Sequence, residues 1–404
     1  MDECPVFERS LRCNDCSTCM FTCDFILTLF FCSYASATAV GIVWYAASVL
    51  LPLERRNKKL VSVAVKAATN AQGVSILICA RNEAANLRRL LPSILEQISD
   101  PLFEVVVVDD ASADDTPGVL AFFQRKYAHL RVLRIPEKTA PGKKYALAQG
   151  IAATKNDLLL LTDADCEPAS LHWLSRMTGP LQENPQVEIV LGYAPLRSLA
   201  FPPPRSLLAL WARFETAHTA WTYCVFAQMG QPYMGVGRNM AWRKSLFERA
   251  GGFTSHEHLP SGDDDLFVSA VATGANTAVC LDPQAFVFSE GKKTWRAWMR
   301  QKRRHLGAGV FYRPHHRLLL GALALAHSGH YAALLALTFT PWAAWAWTLW
   351  AIRMTIVWCR WARAVRVFKE PGLLVGVPVL DAMLGLYFGI SGLVLAFSSK
   401  QTKW

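Results

Sequence analysis

Charge is scarce in this chain, and acidic charge scarcer than basic. Of 404 residues only 18% are charged, against about 25% in an ordinary soluble domain. The deficit argues against a wholly soluble protein. With 52% hydrophobic residues, disorder is excluded as well, because it requires low hydrophobicity. The 42 Lys+Arg and 31 Asp+Glu still need water, so a wholly membrane-buried chain is excluded too. No G-x-x-x-x-G-K-[ST] loop and no G-x-G-x-x-G follows the first strand-like segment, which disfavours a P-loop nucleotidase and a dinucleotide-dependent dehydrogenase. The one glycine-rich piece, Gly235 to Asn239, comes too late in the chain for either. The net charge of +11 raises the question of nucleic acid. The basic residues flank apolar runs and form no stripe interleaved with aromatics, so no nucleic-acid partner is expected.

What is present is a mixed chain. Phe25 to Leu51 runs for 27 residues without a charge, more than the roughly 20 apolar residues a bilayer crossing needs. It is too long for a secretory signal core and has no evident small-residue cleavage site. Arg55, Arg56, Lys58 and Lys59 follow at once, so by the positive-inside rule the next segment is cytoplasmic. Leu318 to Ile352 is a second run without Asp, Glu, Lys or Arg, 35 residues long. That length suits a short hairpin turning near Gly329 or Pro341. Arg353, Arg360, Arg363, Arg366 and Lys369 follow, with Trp358, Trp361 and Phe368 among them. This composition reads as an interfacial segment over 353–371, held to anionic lipid. A last span over 372–397 holds one acid, Asp381, expected to serve headgroup contact or helix pairing. Residues 1–24 precede the first span, and 61–317 form the domain between spans. The whole reads as an integral protein of the cell (inner) membrane with a cytoplasmic domain.

Inside 61–317 the pattern alternates. Val74 to Ala80, Glu104 to Val108, Arg131 to Ile135 and Leu158 to Leu161 read as strands; Glu83 to Gln97, Asp114 to Tyr127 and Lys143 to Ala153 read as helices. Such alternation implies an α/β fold with a mostly parallel sheet flanked by helices, and ligands at the carboxyl ends of its strands. Polar residues gather at those ends: Arg81-Asn82-Glu83, then Asp109-Asp110 with Ser112 and Asp114, then Asp163-Ala164-Asp165. Ser112 and Asp114 are read as helix caps. Asp163 and Asp165 are not. Two carboxylates that close repel each other, and a divalent cation, Mg²⁺ or Mn²⁺, resolves the repulsion while leaving positions open for phosphate oxygens. A further acidic run, Asp263-Asp264-Asp265, suits a general base, since crowded acids raise one another's affinity for protons. Trp295 to His305 reads as an aromatic and basic helix that lies on lipid, with Gln301 and Arg304 sharing a face.

Taken together these segments resemble glycosyltransferase family 2, membrane-bound inverting enzymes with a GT-A fold, and within it the ceramide glucosyltransferase-like and bacterial lipid glycosyltransferase subgroup. Ser75 to Glu83 looks like the family's first strand and its R-N-E segment, and Asp109-Asp110-Ala111-Ser112 like its D-D-x-S loop. Gly142-Lys143-Lys144-Tyr145-Ala146-Leu147 resembles its G-K-x-x-A-L segment. Asp163-Ala164-Asp165 fits the D-x-D metal motif, and Gln301 to His305 fits Q-x-x-R-W with His305 in place of Trp. The resemblance implies a nucleotide-sugar donor, a UDP-sugar of glucose type, with its base near Arg81, Glu83 and Asp110. It implies Lys143, Asp163, Gln301, Arg304 and His305 around the donor and a divalent cation on Asp165 with Asp163. The acceptor is expected to be a lipid-like hydroxyl compound met among membrane lipids. Gly262-Asp263-Asp264 stands where the family has Glu-Asp, which makes Asp264 the base; alignment on the following D-x-D-L makes it Asp263. The missing Trp counts against the alternative, a processive polysaccharide synthase.

The chain has 11 cysteines, and Cys13, Cys16, Cys19 and Cys23 have the C-x₂-C-x₂-C-x₃-C spacing of iron–sulfur runs. The proline that usually follows is absent, and the run precedes a span on its outer side. A membrane redox protein is the lower-ranked alternative; disulfides are another reading of the run, and Met20 offers an alternative start.

Overall fold

The computed structural model describes residues 16–50, 72–99, 102–138, 142–197, 206–259 and 261–397. The side chains of 16–26, 49 and 395–397 are outside the description. The cysteine run is therefore outside it, apart from a backbone helix that begins at Cys16.

Seven expected elements are present at nearly the expected bounds. Strands β1 (Val74–Ala80), β2 (Phe103–Asp110), β3 (Leu130–Ile135) and β4 (Leu158–Asp163) alternate with helices α2 (Ala84–Leu95), α3 (Thr116–Lys126) and α4 (Lys144–Ala153). Next come β5 (Cys166–Pro168), α5 (Trp173–Glu183), β6 (Ile189–Leu191), β7 (Leu196–Arg197), α6 (Leu207–Gln228), β8 (Met240–Arg243), α7 (Lys244–Arg249), α8 (Asp265–Val271), β9 (Thr277–Val279) and β10 (Val287–Glu290). Seven strands form one sheet in the order β3-β2-β1-β4-β8-β6-β9. Only β8 runs against its neighbours. A small second sheet, β5-β10-β7, lies beside it.

Alternation along the strands divides the core in two. Ile76, Ile78, Val105 and Val107 face α2, α3 and α5, whereas Leu77, Val106 and Val108 face α4 and α6. Both faces are covered, so the central strands are mostly apolar, as a parallel sheet requires; buried Ser75 and Glu104, near their amino ends, bond each other at 2.7 Å. α4 comes unusually close. A Cβ on Gly150 would lie 2.6 Å from Leu77 Cδ1 and 2.7 Å from Val108 Cγ2. The parallel register sets Asp109 beside Ala80 and Asp163 beside Cys79, so the polar strand ends are level.

The remaining helices are α1 (Cys16–Leu50), α9 (Trp295–Gly309), α10 (Pro314–Leu337), α11 (Ala343–Val367) and α12 (Val377–Phe397). Among the described residues three are long and apolar enough to cross a membrane, over Leu27–Ser48, Pro314–Leu337 and Val377–Val394. α1 packs on α10 and α11, and α10 on α12.

Here the structure departs from the sequence reading. The turn of the hairpin falls at 338–342, at Pro341, and Gly329 lies inside α10. Residues 353–367 are not a separate interfacial segment but the second half of α11. Arg353 and Arg360 are seven residues apart, two helical turns, and so share a face. That face is turned inward, and both are buried. Asp381 pairs with Arg353 at 2.7 Å, both of them buried; it joins helices and does not meet headgroups. The bundle meets the domain through aromatic contacts. Phe214 stacks on Trp361 at 4.3 Å, and Trp211 meets Tyr387 at 5.9 Å.

Candidate active site

The loops after β1 and β2 hold each other in place. Asn82, two residues after β1, and Ala111, directly after β2, adopt φ of 57° and 55°. The left-handed region costs an L-residue about 1–2 kcal/mol. Hydrogen bonds between the loops offset that cost. Ser112 Oγ accepts from the Asn82 amide at 2.9 Å, and Asn82 Oδ1 from the Ala113 amide at 2.8 Å. Asp114 accepts from Thr116 N at 3.0 Å, capping its own helix, and from Ala84 N at 3.1 Å, capping its neighbour's. Asp114 thus caps two helices, whereas Ser112, expected as a cap, caps neither and ties the loop after β2 to the loop after β1. Among the named donor-side residues, Arg81 is exposed and Glu83 half-buried. Burial pushes the Glu83 carboxyl up, and the charges of Asp165 and Asp163 add to this against a hydrogen bond from Asn86. Asp110 is buried and paired with Lys138, which also donates to the Gly142 carbonyl at 2.8 Å.

Lys143, at the start of α4, joins the two acidic motifs. Its Nζ lies 2.9 Å from Asp163 and 3.1 Å from Asp263. Burial works to raise the Asp163 carboxyl, but the Lys143 ammonium, with Arg238 and Arg304 behind it, outweighs burial and holds the carboxyl below its ordinary range. Asp163, Asp165 and Cys166 bring their ligand atoms within 4.8 Å of one another. Burial keeps the Cys166 thiol protonated, and it donates to Asp165. The pair of carboxylates therefore forms an oxygen donor set that fits a hard divalent cation.

The acidic run at the start of α8 divides by direction. Asp263 faces Lys143. Asp264 is turned to backbone amides, accepting from Gly237 at 2.7 Å and from Asp265 at 2.8 Å. Burial raises its carboxyl, and Asp263 adds to the effect. Asp265 is buried, and the Tyr312 hydroxyl donates to it at 2.9 Å. Burial, then the neighbouring Asp264, pushes its carboxyl up to about 7.

On α9, Gln301 is half-buried and Arg304 and His305 are exposed. Thr294 caps the helix, and Trp298 anchors it against Trp211 at 5.9 Å and Tyr387 at 5.6 Å. Lys302 pairs with Glu215 of α6. α9 packs against α8, and the charge of Arg304 helps to hold the Asp163 carboxyl down. Arg238 was not singled out from sequence. It is held by Ser289 and the Ala194 carbonyl, and its charge also acts on Asp163. The available signal was a basic residue directly after Gly235-Val236-Gly237 and before β8. Next to Asp165, a shallow cleft is walled by the ion pairs Arg89–Glu290, at 2.9 Å, and Arg197–Glu167.

Two family models match this chain in overlapping stretches. Glycosyl transferase family 2 matches residues 75–251 and glycosyl transferase family group 2 matches 200–361. The chain belongs to glycosyltransferase family 2. This glycosyltransferase is 27% identical over 238 residues to a probable glycosyltransferase, YdaM, of Bacillus subtilis, a match covering 57% of this chain and 54% of that protein. Over 98 residues it is 36% identical to the beta-monoglucosyldiacylglycerol synthase of Trichormus variabilis, covering 24% of this chain and 21% of the synthase. The matches thus span about half, or less, of these relatives. Among solved structures, the mannosyltransferase PcManGT of Pyrobaculum calidifontis, in complex with GDP-Man and Mn²⁺, aligns with TM-score 0.55 at 19% identity. That alignment covers 89% of this chain and 99% of PcManGT, and it bears on fold: GT-A, a mostly parallel sheet flanked by helices.

Proposed function

We propose that this protein is a membrane-bound inverting glycosyltransferase that moves a glucose-like sugar from a UDP-sugar to a hydroxyl of a lipid acceptor. The observation that carries the reading is the meeting of Asp163, Asp165, Lys143 and Asp263 at the level carboxyl ends of parallel strands. Support for the lipid acceptor comes from three helices with the length and composition of spans and from the glucosylated lipid, monoglucosyldiacylglycerol, in the name of one relative.

In this mechanism Arg81, Glu83 and Asp110 receive the nucleoside, with Lys138 released from Asp110. Asp165 and Asp163 would hold Mg²⁺ or Mn²⁺, which supplies positive charge against the diphosphate leaving group; PcManGT is named with Mn²⁺. Lys143, Arg238 and Arg304 add cationic charge on the protein's side. Gln301 and His305 line the approach of the acceptor. When Lys143 turns to the diphosphate, Asp263 is freed and takes the proton of the acceptor hydroxyl. The hydroxyl oxygen attacks the anomeric carbon from the face opposite the diphosphate. The bond from anomeric carbon to phosphate oxygen breaks, its electron pair leaves with the nucleoside diphosphate, and the configuration inverts. We assign the base to Asp263 rather than Asp264, because Asp264's oxygens already serve two backbone amides.

The test is a pair of variants. Asp263→Asn is expected to lower transfer by on the order of 10²-fold or more while UDP binding changes by only a few fold. Transfer retained by Asp263→Asn and lost in Asp264→Asn, with both folded, would move the base to Asp264.

A further inference from the structure

Arg360 is 0% exposed, deep where α11 meets α1 and α6. Its guanidinium carbon lies 5.1 Å from the Tyr45 ring centroid, 5.4 Å from that of Trp361 and 5.7 Å from that of Trp221. Its Nε, Nη1 and Nη2 have no hydrogen-bond partner among the described residues. The indole nitrogens of Trp221 and Trp361 have none either. All of these orphans are donors. Aromatic faces attract a cation through their quadrupole, yet they offer no oxygen lone pairs to N–H groups. A buried guanidinium without an acceptor is among the most unfavourable groups to bury.

Among the described residues, the neighbouring charges do not meet the need. Asp381 accepts from Arg353 at 2.7 Å and from the Tyr331 hydroxyl at 2.6 Å. His327 contacts the Asp381 carbonyl through Nε2 at 2.9 Å and the Tyr45 hydroxyl through Nδ1 at 2.8 Å. His330 bonds Thr38 at 2.8 Å. Arg353 and the Tyr331 hydroxyl therefore take the Asp381 carboxylate, and the Arg360 guanidinium is left without an acceptor among the described residues. What fits is a compact anion, rich in acceptor oxygens and able to take donors from α6 and α11 together. A phosphate group has that chemistry, and a guanidinium fork matches its oxygens.

We propose that Arg360, with Trp221 and Trp361, forms a buried phosphate-binding site at the seam between the transferase domain and the helix bundle. The Phe214–Trp361 stack and the Trp221–Phe368 contact at 5.9 Å put it on that seam. The phosphate can come from a phospholipid headgroup or from solution. The site does not depend on the sugar chemistry proposed above, and a phosphate held there would lock the domain to the bundle.

The experiment uses full-length protein, purified in mild detergent and depleted of loose lipid by gel filtration. Bound phosphorus is measured for wild type, Arg360→Met, Arg360→Lys and the exposed control Arg366→Met. Wild type and Arg366→Met should retain phosphate stoichiometrically, Arg360→Met should lose it, and Arg360→Lys should retain less than wild type. In thermal melts of depleted protein, phosphatidylglycerol micelles or inorganic phosphate should raise the midpoint of wild type and not of Arg360→Met. A rise with phosphatidylglycerol alone makes the source a lipid; a rise with inorganic phosphate makes it soluble phosphate. Should Arg360→Met fail to fold, wild type alone decides. The proposal is overturned if depleted wild type holds no phosphate and responds to neither probe, or if a folded Arg360→Met holds as much as wild type.

Discussion

At the scale of single residues, the acidic run before α8 shows how three identical side chains acquire different tasks. Asp263 faces a lysine, Asp264 faces amides and Asp265 faces a tyrosine. Nothing in the string Asp-Asp-Asp distinguishes them. The direction of each is set by Gly237, brought from a distant loop, and by Tyr312, which lies beyond α9. The acidic cluster was legible in D-x-D and in the lysine after Gly142; the direction of each acid in the run was not. For Asp265 the linkage is explicit. Its carboxyl titrates near 3.8 when free and about 7 when folded, so between those values the folded chain holds a proton that the unfolded chain has lost. Stability therefore falls as pH rises through that window and levels off above it. Asp265→Asn has no charge to bury. Its melting midpoint is expected to exceed that of wild type by a few degrees at pH 8 and by less at pH 5. A gap that does not change with pH would contradict the assignment.

Elements matter through how closely they approach. α4 carries Lys143 at its first turn and lies close to β1 and β2 because Gly150 has no side chain there. Gly150→Ala would press on Leu77 and Val108. The expected cost is about 1–3 kcal/mol, read from chemical denaturation, with a loss of transfer larger than the stability change alone explains because Lys143 moves with the helix. Wild-type activity and stability in that variant would show that the close approach has no role. Helices α2 to α4 and their strands were legible because periods of 2 and 3.6 are local properties of sequence. The inward face of α11 was not. Arg353 and Arg360 read as lipid-facing charges, since a helix surface counts as exposed until its partner is known. The partner of Arg353, Asp381, comes from another helix, and the rings against Arg360, those of Tyr45 and Trp221, come from two more.

On the scale of the whole molecule, the low content of charge is explained by its division. The sheet domain holds the acidic cluster, and the apolar helices hold few charges, of which two are joined in the Arg353–Asp381 pair. A buried pair of this kind adds little net stability but is costly to break on one side only, so it favours one arrangement of α11 against α12. α6 and α9 carry that arrangement to the acidic site, α6 by packing on the bundle and α9 through Trp298 against Tyr387. The site therefore sits on a frame fixed to the helices, which suits an acceptor dissolved in lipid. The most direct test supplies membranes containing the protein with a panel of labelled nucleotide-sugars and divalent cation, then extracts with organic solvent. The account predicts label from a UDP-sugar in the organic phase, absent with Asp163→Ala or Asp165→Ala. Label found only in an aqueous polymer, or no transfer from any UDP-sugar, would contradict it.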